Sequence, residues 1–447
     1  MFDRFLRQVE SAPGATAVIE TDGGRVVTRE ALLARAEELA RELQARGLRA
    51  RDLIAVQLPN SADFVAAVLA AAKLDLVLVP IDRDALPPEV MTVLGHFAVR
   101  SLIYRNGGTS ISTRVVDGPP SIPAEARLIK LTSGSTGLPK GIVTSERNLM
   151  ADCTSICASM DIRADDINFG AIPMSHSYGF SNLVMPLLMQ GTQIVISNQY
   201  LPQSVIDLCN RYACTVVPLI PMVFEHLSAL PDDFETARTF LSAGAPLPAA
   251  TSRRFRERFG KPIHSFYGCS ECGGITYDYR GGAVERGCVG AAMKNVSLSI
   301  ESARLVVQSD SVALGYLHDV SSFHPFEPRT FVTDDLVEMV DGEVALAGRV
   351  SDLINTAGKK VNPREVEQVI LQLDGVRQVK VFGSPAGARG DVVAAAVVAS
   401  PDITREQVRE HCASRLSAHK VPRIVKLIEQ LPVDERGKIK RAALAHL

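Results

Sequence analysis

Residues 132–141 of this 447-residue chain gather three Gly, four hydroxyl side chains, one Pro and one Lys. The run reads Thr132-Ser133-Gly134-Ser135-Thr136-Gly137-Leu138-Pro139-Lys140-Gly141. Glycines let successive backbone N–H groups turn toward one point, and hydroxyls add donors without charge. Such a loop suits polyphosphate oxygens. It is not a Walker A loop, because no Gly is followed at the required spacing by Gly-Lys-Ser/Thr. A Gly/Ser run alone reads equally well as a flexible turn; the rarer Ser-Gly-Ser-Thr-Gly-x-Pro-Lys-Gly pattern favours the phosphate reading. Four other stretches carry aromatic rings, carboxylates or cations beside glycines. They are His176-Ser-Tyr178-Gly-Phe180; Ser242-Ala-Gly244-Ala245-Pro246 with the following His264 to Glu271; Thr333-Asp334-Asp335 with Gly348-Arg349; and Gly437-Lys438 near the C-terminus.

The surrounding elements place these stretches. An apolar run ending Leu128-Ile129-Lys130-Leu131 predicts a strand before the first loop, and Ser145 can cap a helix after it. Thr28 can cap a helix that puts Leu32, Ala36, Leu39, Ala40 and Leu43 on one face. A strand over 53–58, a helix capped by Asn60 or Ser61 and a strand over 76–80 follow, which is a β-α-β order with a parallel sheet. Strands near 167–172, 192–197, 215–218, 239–242 and 262–266 then alternate with helices at 182–189, 206–212, 222–230 and 248–259. The fold class is α/β: a large N-terminal domain of layered α/β sheets plus a small C-terminal α+β domain. Gly134, Gly244 and Gly268 each follow a predicted strand, on the rim where such sheets bind ligands. Near Arg280 the chain turns to short strands, and beyond Arg349 to a helix, strand, strand, helix order. The expected domains are 1–348 and 349–447, joined by a short hinge.

Apolar content of 46% with 22% charged residues describes a globular protein, and the net charge of −2 offers nothing to a polyanion, so no nucleic-acid partner is expected. No signal peptide and no membrane span are expected, which points to the cytoplasm. Eight cysteines, in a chain read as cytoplasmic, are expected to be free thiols. Cys269 and Cys272 form one C-x-x-C pair, too few ligands for a structural zinc.

In their order along nearly the whole chain, these stretches resemble the adenylate-forming (AMP-binding) superfamily of acyl- and aryl-CoA synthetases, luciferases and peptide-synthetase adenylation domains. The resemblance implies an acid–thiol ligase whose cofactors are ATP, Mg2+ and coenzyme A or a carrier-protein phosphopantetheine. Thr132, Ser133, Gly134, Ser135, Thr136, Gly137 and Lys140 would then hold the β- and γ-phosphates. Gly244, Ala245, Pro246 and Tyr267, with Gly268 beside it, match the adenine slot, where a Tyr ring offers a stacking face. Glu271 matches the magnesium ligand, and Ser270 stands where Thr is usual and can donate to the α-phosphate. Asp335 and Arg349 match the ribose contacts, with a surface ion pair as the plainer reading of both; the usual Thr-Gly-Asp is Thr-Asp-Asp here, so Asp334 competes and position favours Asp335. Lys438 matches the catalytic lysine, Gly358 the small residue beside the pantetheine channel, and Ser351 the hinge, where Asp or Lys is common. His176, Tyr178 and Phe180 resemble the aromatic cluster beside the substrate carboxylate, with simple core packing an equal reading for Phe180.

The implied reaction is ATP-dependent conversion of a small carboxylic acid to an acyl-adenylate, then transfer to the thiol of CoA. Ser177 and Tyr178 replace the Asp that would hold an α-amino group, and a chain without Trp cannot close an acetate pocket with an indole. Gly268, Gly273 and Gly274 are expected to leave room along the pocket floor for a medium-chain or aromatic acid. The alternatives are loading of a carrier protein in trans, a luciferase-like oxidative second step, or a nucleotide-binding protein without catalysis.

Overall fold

Leu53–Gln57 and Val77–Pro80 are near-continuous apolar runs because each lies inside a mostly parallel sheet, covered on both faces. The structure, a computed structural model, describes residues 1–116, 118, 120–133, 138–198, 201–356, 359–385 and 391–432. The candidates Gly134, Ser135, Thr136, Gly137, Gly358 and Lys438 lie outside the described residues. The chain divides into two compact units, 1–298 with 306–331, and 299–305 with 332–447.

The first unit holds two large sheets. One has nine strands, with Gln193–Ile196, Ile167–Gly170, Val216–Leu219, Thr239–Ser242 and Ile263–Cys269 as its parallel centre. The other has eight, running from the Ser322–Pro325 and Gly315–Asp319 hairpin through Pro139–Ser145 and Ala126–Ser133 to Val77–Pro80 and beyond. The expected caps form. Thr28 Oγ1 accepts the Ala31 N–H at 3.2 Å, starting Arg29–Ala45, whose Leu32, Ala36, Leu39, Ala40 and Leu43 are buried. Ser61 rather than Asn60 caps Ala62–Lys73, accepting from Phe64 N–H at 3.2 Å. The second core under the nine-stranded sheet is aromatic: Phe240 meets Phe255 and Phe224 edge-on at 5.0 and 6.4 Å between ring centroids. Each such pair adds about 0.5–1.5 kcal/mol beyond area burial.

The helix expected at 182–189 is longer and irregular. It starts at Ser177–Gly179, widens into a π segment over Phe180–Val184, and returns to α geometry at Met185–Gln190. Pro186 is the cause: it has no N–H for the carbonyl four residues earlier. That carbonyl, Asn182 O, instead accepts the Asn168 side-chain amide at 2.9 Å.

In the second unit Val376–Pro385, Asp391–Ala399 and Ile424–Leu427 form a three-stranded sheet. Helices Pro363–Ile370 and Arg405–Ala413 cover it, burying Val366, Ile370 and Val408 with Val381, Ala395 and Val397. Thr330–Val340 pairs with Glu343–Arg349, setting Asp335 opposite Arg349. Because of that pairing, the boundary expected at 348/349 falls inside the second compact unit, which begins its long segment at Val332.

Candidate active site

The strands on either side of the phosphate-loop candidate pair with each other. Ala126–Ser133 pairs antiparallel with Pro139–Ser145, placing Thr132 opposite Lys140. The second of these strands was not read from sequence, where only the helix beyond it was placed. Thr132 Oγ1 donates to the Lys140 carbonyl at 3.4 Å. Lys140 directs its Nζ onto the ring of Tyr316, 3.4 Å from the centroid. Ser145 caps Glu146–Met160 through a reciprocal pair with Asn148.

The Ser270-Glu271 turn lies beside this strand pair. Buried Lys130, one strand position before Leu131, donates through Nζ to the Ser270 carbonyl at 3.2 Å. The Ser270 and Ser177 hydroxyls are 2.8 Å apart. Tyr316 Oη donates to Glu271 Oε1 at 2.8 Å. Burial first, then the Glu271 charge, raises the Tyr316 phenol far above its ordinary range, so it remains a donor. The candidates Lys140 and Glu271 thus meet at one residue, Tyr316, which sequence reading did not single out.

A single carboxylate fits a hard divalent cation that takes its remaining ligands from phosphate and water. Glu271 has one oxygen engaged by Tyr316 and no salt-bridge partner among the described residues, so the residues present fit Mg2+.

His176 Nε2 lies 3.0 Å from Asp82 Oδ2. The segment leading to it is held by Asn60, whose Nδ2 donates to the Gly170 and Ile172 carbonyls at 3.1 and 2.8 Å and whose Oδ1 accepts the Met174 N–H at 2.8 Å. Tyr178 points its hydroxyl at the Leu241 carbonyl, 3.1 Å away, at the end of its strand, and its ring lies 5.8 Å from Phe266. Phe180 is buried in the apolar core that also holds Phe64, Leu183 and Leu187.

Gly244 sits at φ +86 in the exposed turn after Thr239–Ser242, followed by half-buried Ala245 and exposed Pro246. Tyr267 and Gly268 do not follow a strand; both lie within Ile263–Cys269, with a register shift between them in the hairpin to Gly273–Tyr277. The rim loop expected at Gly268 is therefore a bulged strand.

The expected open floor is filled. A Cβ on Gly268 would stand 2.4 Å from the Gly273 carbonyl oxygen, one on Gly273 2.2 Å from Asp152 Oδ1, and one on Gly274 2.6 Å from Met293 Sδ. These glycines allow close packing instead of leaving space. Buried Asp152 accepts the Gly274 N–H at 2.8 Å and the Ser181 hydroxyl at 2.6 Å.

Within the second unit Arg349 Nε donates to Asp335 Oδ1 at 2.7 Å. Asp335 is buried and Asp334 exposed, and Asp334 accepts the Ser351 N–H at 3.2 Å. The two neighbouring carboxylates have different tasks, and Asp335 is the one joined to Arg349.

The architecture is that of an adenylate-forming enzyme. The ATP-bound MatB from Rhodopseudomonas palustris has the same fold, with a TM-score of 0.84 at 24% identity over 100% of this chain and 98% of that one. Residues 5–125 and 109–317 match the AMP-binding enzyme family, and 365–438 match the AMP-binding enzyme C-terminal domain. The chain belongs to the AMP-binding enzyme family, and is an AMP-forming acid–thiol ligase. Relatives include the long-chain-fatty-acid–CoA ligase FadD13 of Mycobacterium tuberculosis, 25% identical over 97% of this chain and 95% of that protein. The feruloyl-CoA synthase of an Amycolatopsis species is 26% identical over 97% and 96%. Among the described residues no helix is long and apolar enough to cross a membrane.

Proposed function

We propose that the enzyme activates a compact carboxylic acid with ATP and passes the acyl group to the thiol of coenzyme A. One observation carries the reading: Lys140, at the end of the Gly/Ser loop, and Glu271, 131 positions away, converge on Tyr316. In the first step the acid's carboxylate attacks the α-phosphorus of ATP, giving acyl-adenylate and pyrophosphate. In the second, a thiol attacks the mixed anhydride, forming the thioester and expelling AMP.

The residues from Thr132 to Lys140 would cradle the β- and γ-phosphates, and Ser270 would donate to the α-phosphate. Glu271 would hold Mg2+, which neutralises phosphate charge when bound. Tyr267 and the Gly244 turn would take the adenine, while Asp335 and Arg349 would take the ribose. Lys438 would bridge the attacking carboxylate and the α-phosphate. Ser351 is the proposed hinge, dividing the chain functionally into 1–348 and 349–447, with Gly358 beside the thiol channel. The eight free cysteines suit a reducing, cytoplasmic setting.

The filled glycine floor and the Tyr178 hydroxyl turned to Leu241 favour a flat aromatic or short acid over a medium-chain one. Pyrophosphate release across aryl, short and medium-chain acids tests this. Compact acids should be turned over best, and Tyr178→Ala should improve longer acids by about tenfold or more, the scale of hydrophobic pocket discrimination. Equal use of all lengths by the native enzyme would rule out the compact-acid reading. For the acceptor, CoA should outperform a pantetheinylated carrier protein in thioester formation; the reverse result would favour the carrier. ATP binding with no pyrophosphate from any acid would favour the non-catalytic alternative.

A further inference from the structure

We propose that Tyr316 is a positioning residue that holds the Glu271 carboxylate ready for its divalent cation while keeping the Lys140 ammonium from pairing with it. The proposal rests on the reading of Glu271 as the metal carboxylate.

An unpaired ammonium and carboxylate this near a common group would ordinarily join, and the pair would then have to be broken before either could serve a nucleotide. No ion pair joins Lys140 to Glu271 among the described residues; the ring of Tyr316 receives one and its hydroxyl the other. The ammonium gains a cation–π contact that does not consume an oxygen lone pair needed by a metal. The carboxylate gives one oxygen to the phenol and keeps the other for the ion. Fixing the carboxylate in advance removes rotamer freedom that metal binding would otherwise have to remove.

The ring is itself well fixed. Gly315–Asp319, which carries it, pairs antiparallel with Pro139–Ser145, so Tyr316 is opposite Ile142 and Leu317 opposite Gly141. Lys140 and Tyr316 therefore belong to adjacent hydrogen-bonded strands. Phe326 packs edge-on against the ring, 4.7 Å between centroids and 87° between planes. The Ala313 N–H donates to the Glu271 carbonyl at 2.8 Å, anchoring the carboxylate's backbone to the segment that leads into the same strand.

Tyr316→Phe removes only the hydroxyl and keeps the ring beneath Lys140. The test measures Mn2+ binding by electron paramagnetic resonance in the presence of α,β-methylene-ATP, for the native protein, Tyr316→Phe, Glu271→Gln and the double variant. Tyr316→Phe should weaken Mn2+ binding by about tenfold, the lower end of the range for losing a partner of a metal ligand. Its affinity for the nucleotide without metal should stay at the native value. In the Glu271→Gln background the same substitution should add nothing, because the carboxylate it positions is gone. Native Mn2+ affinity in Tyr316→Phe, with a loss in Glu271→Gln, overturns the proposal alone. Native affinity in Glu271→Gln overturns the metal reading beneath it. A further loss in the double variant means a general structural role and also overturns the proposal.

Discussion

Replacing Lys438 with alanine is expected to lower acid-dependent ATP–pyrophosphate exchange by about 10²–10³-fold, the cost of removing one charge-stabilising donor from a transition state. The reasoning is electrostatic. The attacking carboxylate and the triphosphate are both anions, so approach is resisted and negative charge grows on the α-phosphate oxygens as the bond forms. One ammonium touching both partners offsets that charge and aligns them. The second half-reaction has no such need, since a neutral thiol or its thiolate attacks a mixed anhydride whose leaving group is AMP. Lys438→Ala should therefore still make thioester from supplied acyl-adenylate at close to the native rate. Equal loss in both assays would show that Lys438 does not act in the adenylation step specifically.

Gly179→Ala is expected to damage both stability and activity. The backbone at Gly179 is helical, φ −69 and ψ −38, so alanine is conformationally acceptable there. The obstacle is steric: a Cβ would lie 2.1 Å from the Pro173 carbonyl oxygen and 3.0 Å from Met174 N. Both are backbone atoms, which cannot rotate aside, and the Met174 N–H is already bonded to Asn60. The start of the helix must then shift against the turn that carries His176. Overpacking of this kind costs typically 1–3 kcal/mol, which lowers the melting temperature by several degrees. A displacement of about 1 Å at a substrate-positioning segment can cost about 10²-fold in rate. Thermal melts and pyrophosphate exchange check the two effects. Gly95→Ala is the control, because that helical glycine has nothing within 4 Å of the added carbon. Native behaviour in both variants would mean that the 173–179 turn yields without consequence.

Local chemistry was readable where local chemistry decides. The apolar runs at Leu53–Gln57 and Val77–Pro80, and the caps at Thr28 and Ser61, follow from patterns within a few residues. The ordered family motifs point to Glu271, Asp335 and Arg349, and Asp335 pairs with Arg349 across two strands, a contact that a plain ion-pair reading of the two residues gives equally. What escaped depends on partners far along the chain. Tyr316 meets Glu271 from 45 positions away and Asp82 meets His176 from 94, and neither tyrosine nor aspartate carries a mark of that pairing. The glycines at 268, 273 and 274 misled for a related reason. A missing side chain says that space is needed, and only the packed structure says that Asp152 and Met293 take it. The helix expected at 182–189 begins at Ser177, through a widened turn over Phe180–Val184 that no local capping pattern marks.

Asn60 gives the His176 segment a mechanical character that its loop position hides. The residue follows a strand of the eight-stranded sheet, yet its amide is spent wholly on the chain leaving a strand of the nine-stranded one. The two sheets are thereby stitched at the rim that carries His176. To open that rim, three hydrogen bonds must break together in a buried place where water cannot replace them. The segment should therefore open only with its sheets, on the slow timescale of the core. Whatever gating this enzyme uses between its two chemical steps has to come from elsewhere in the chain.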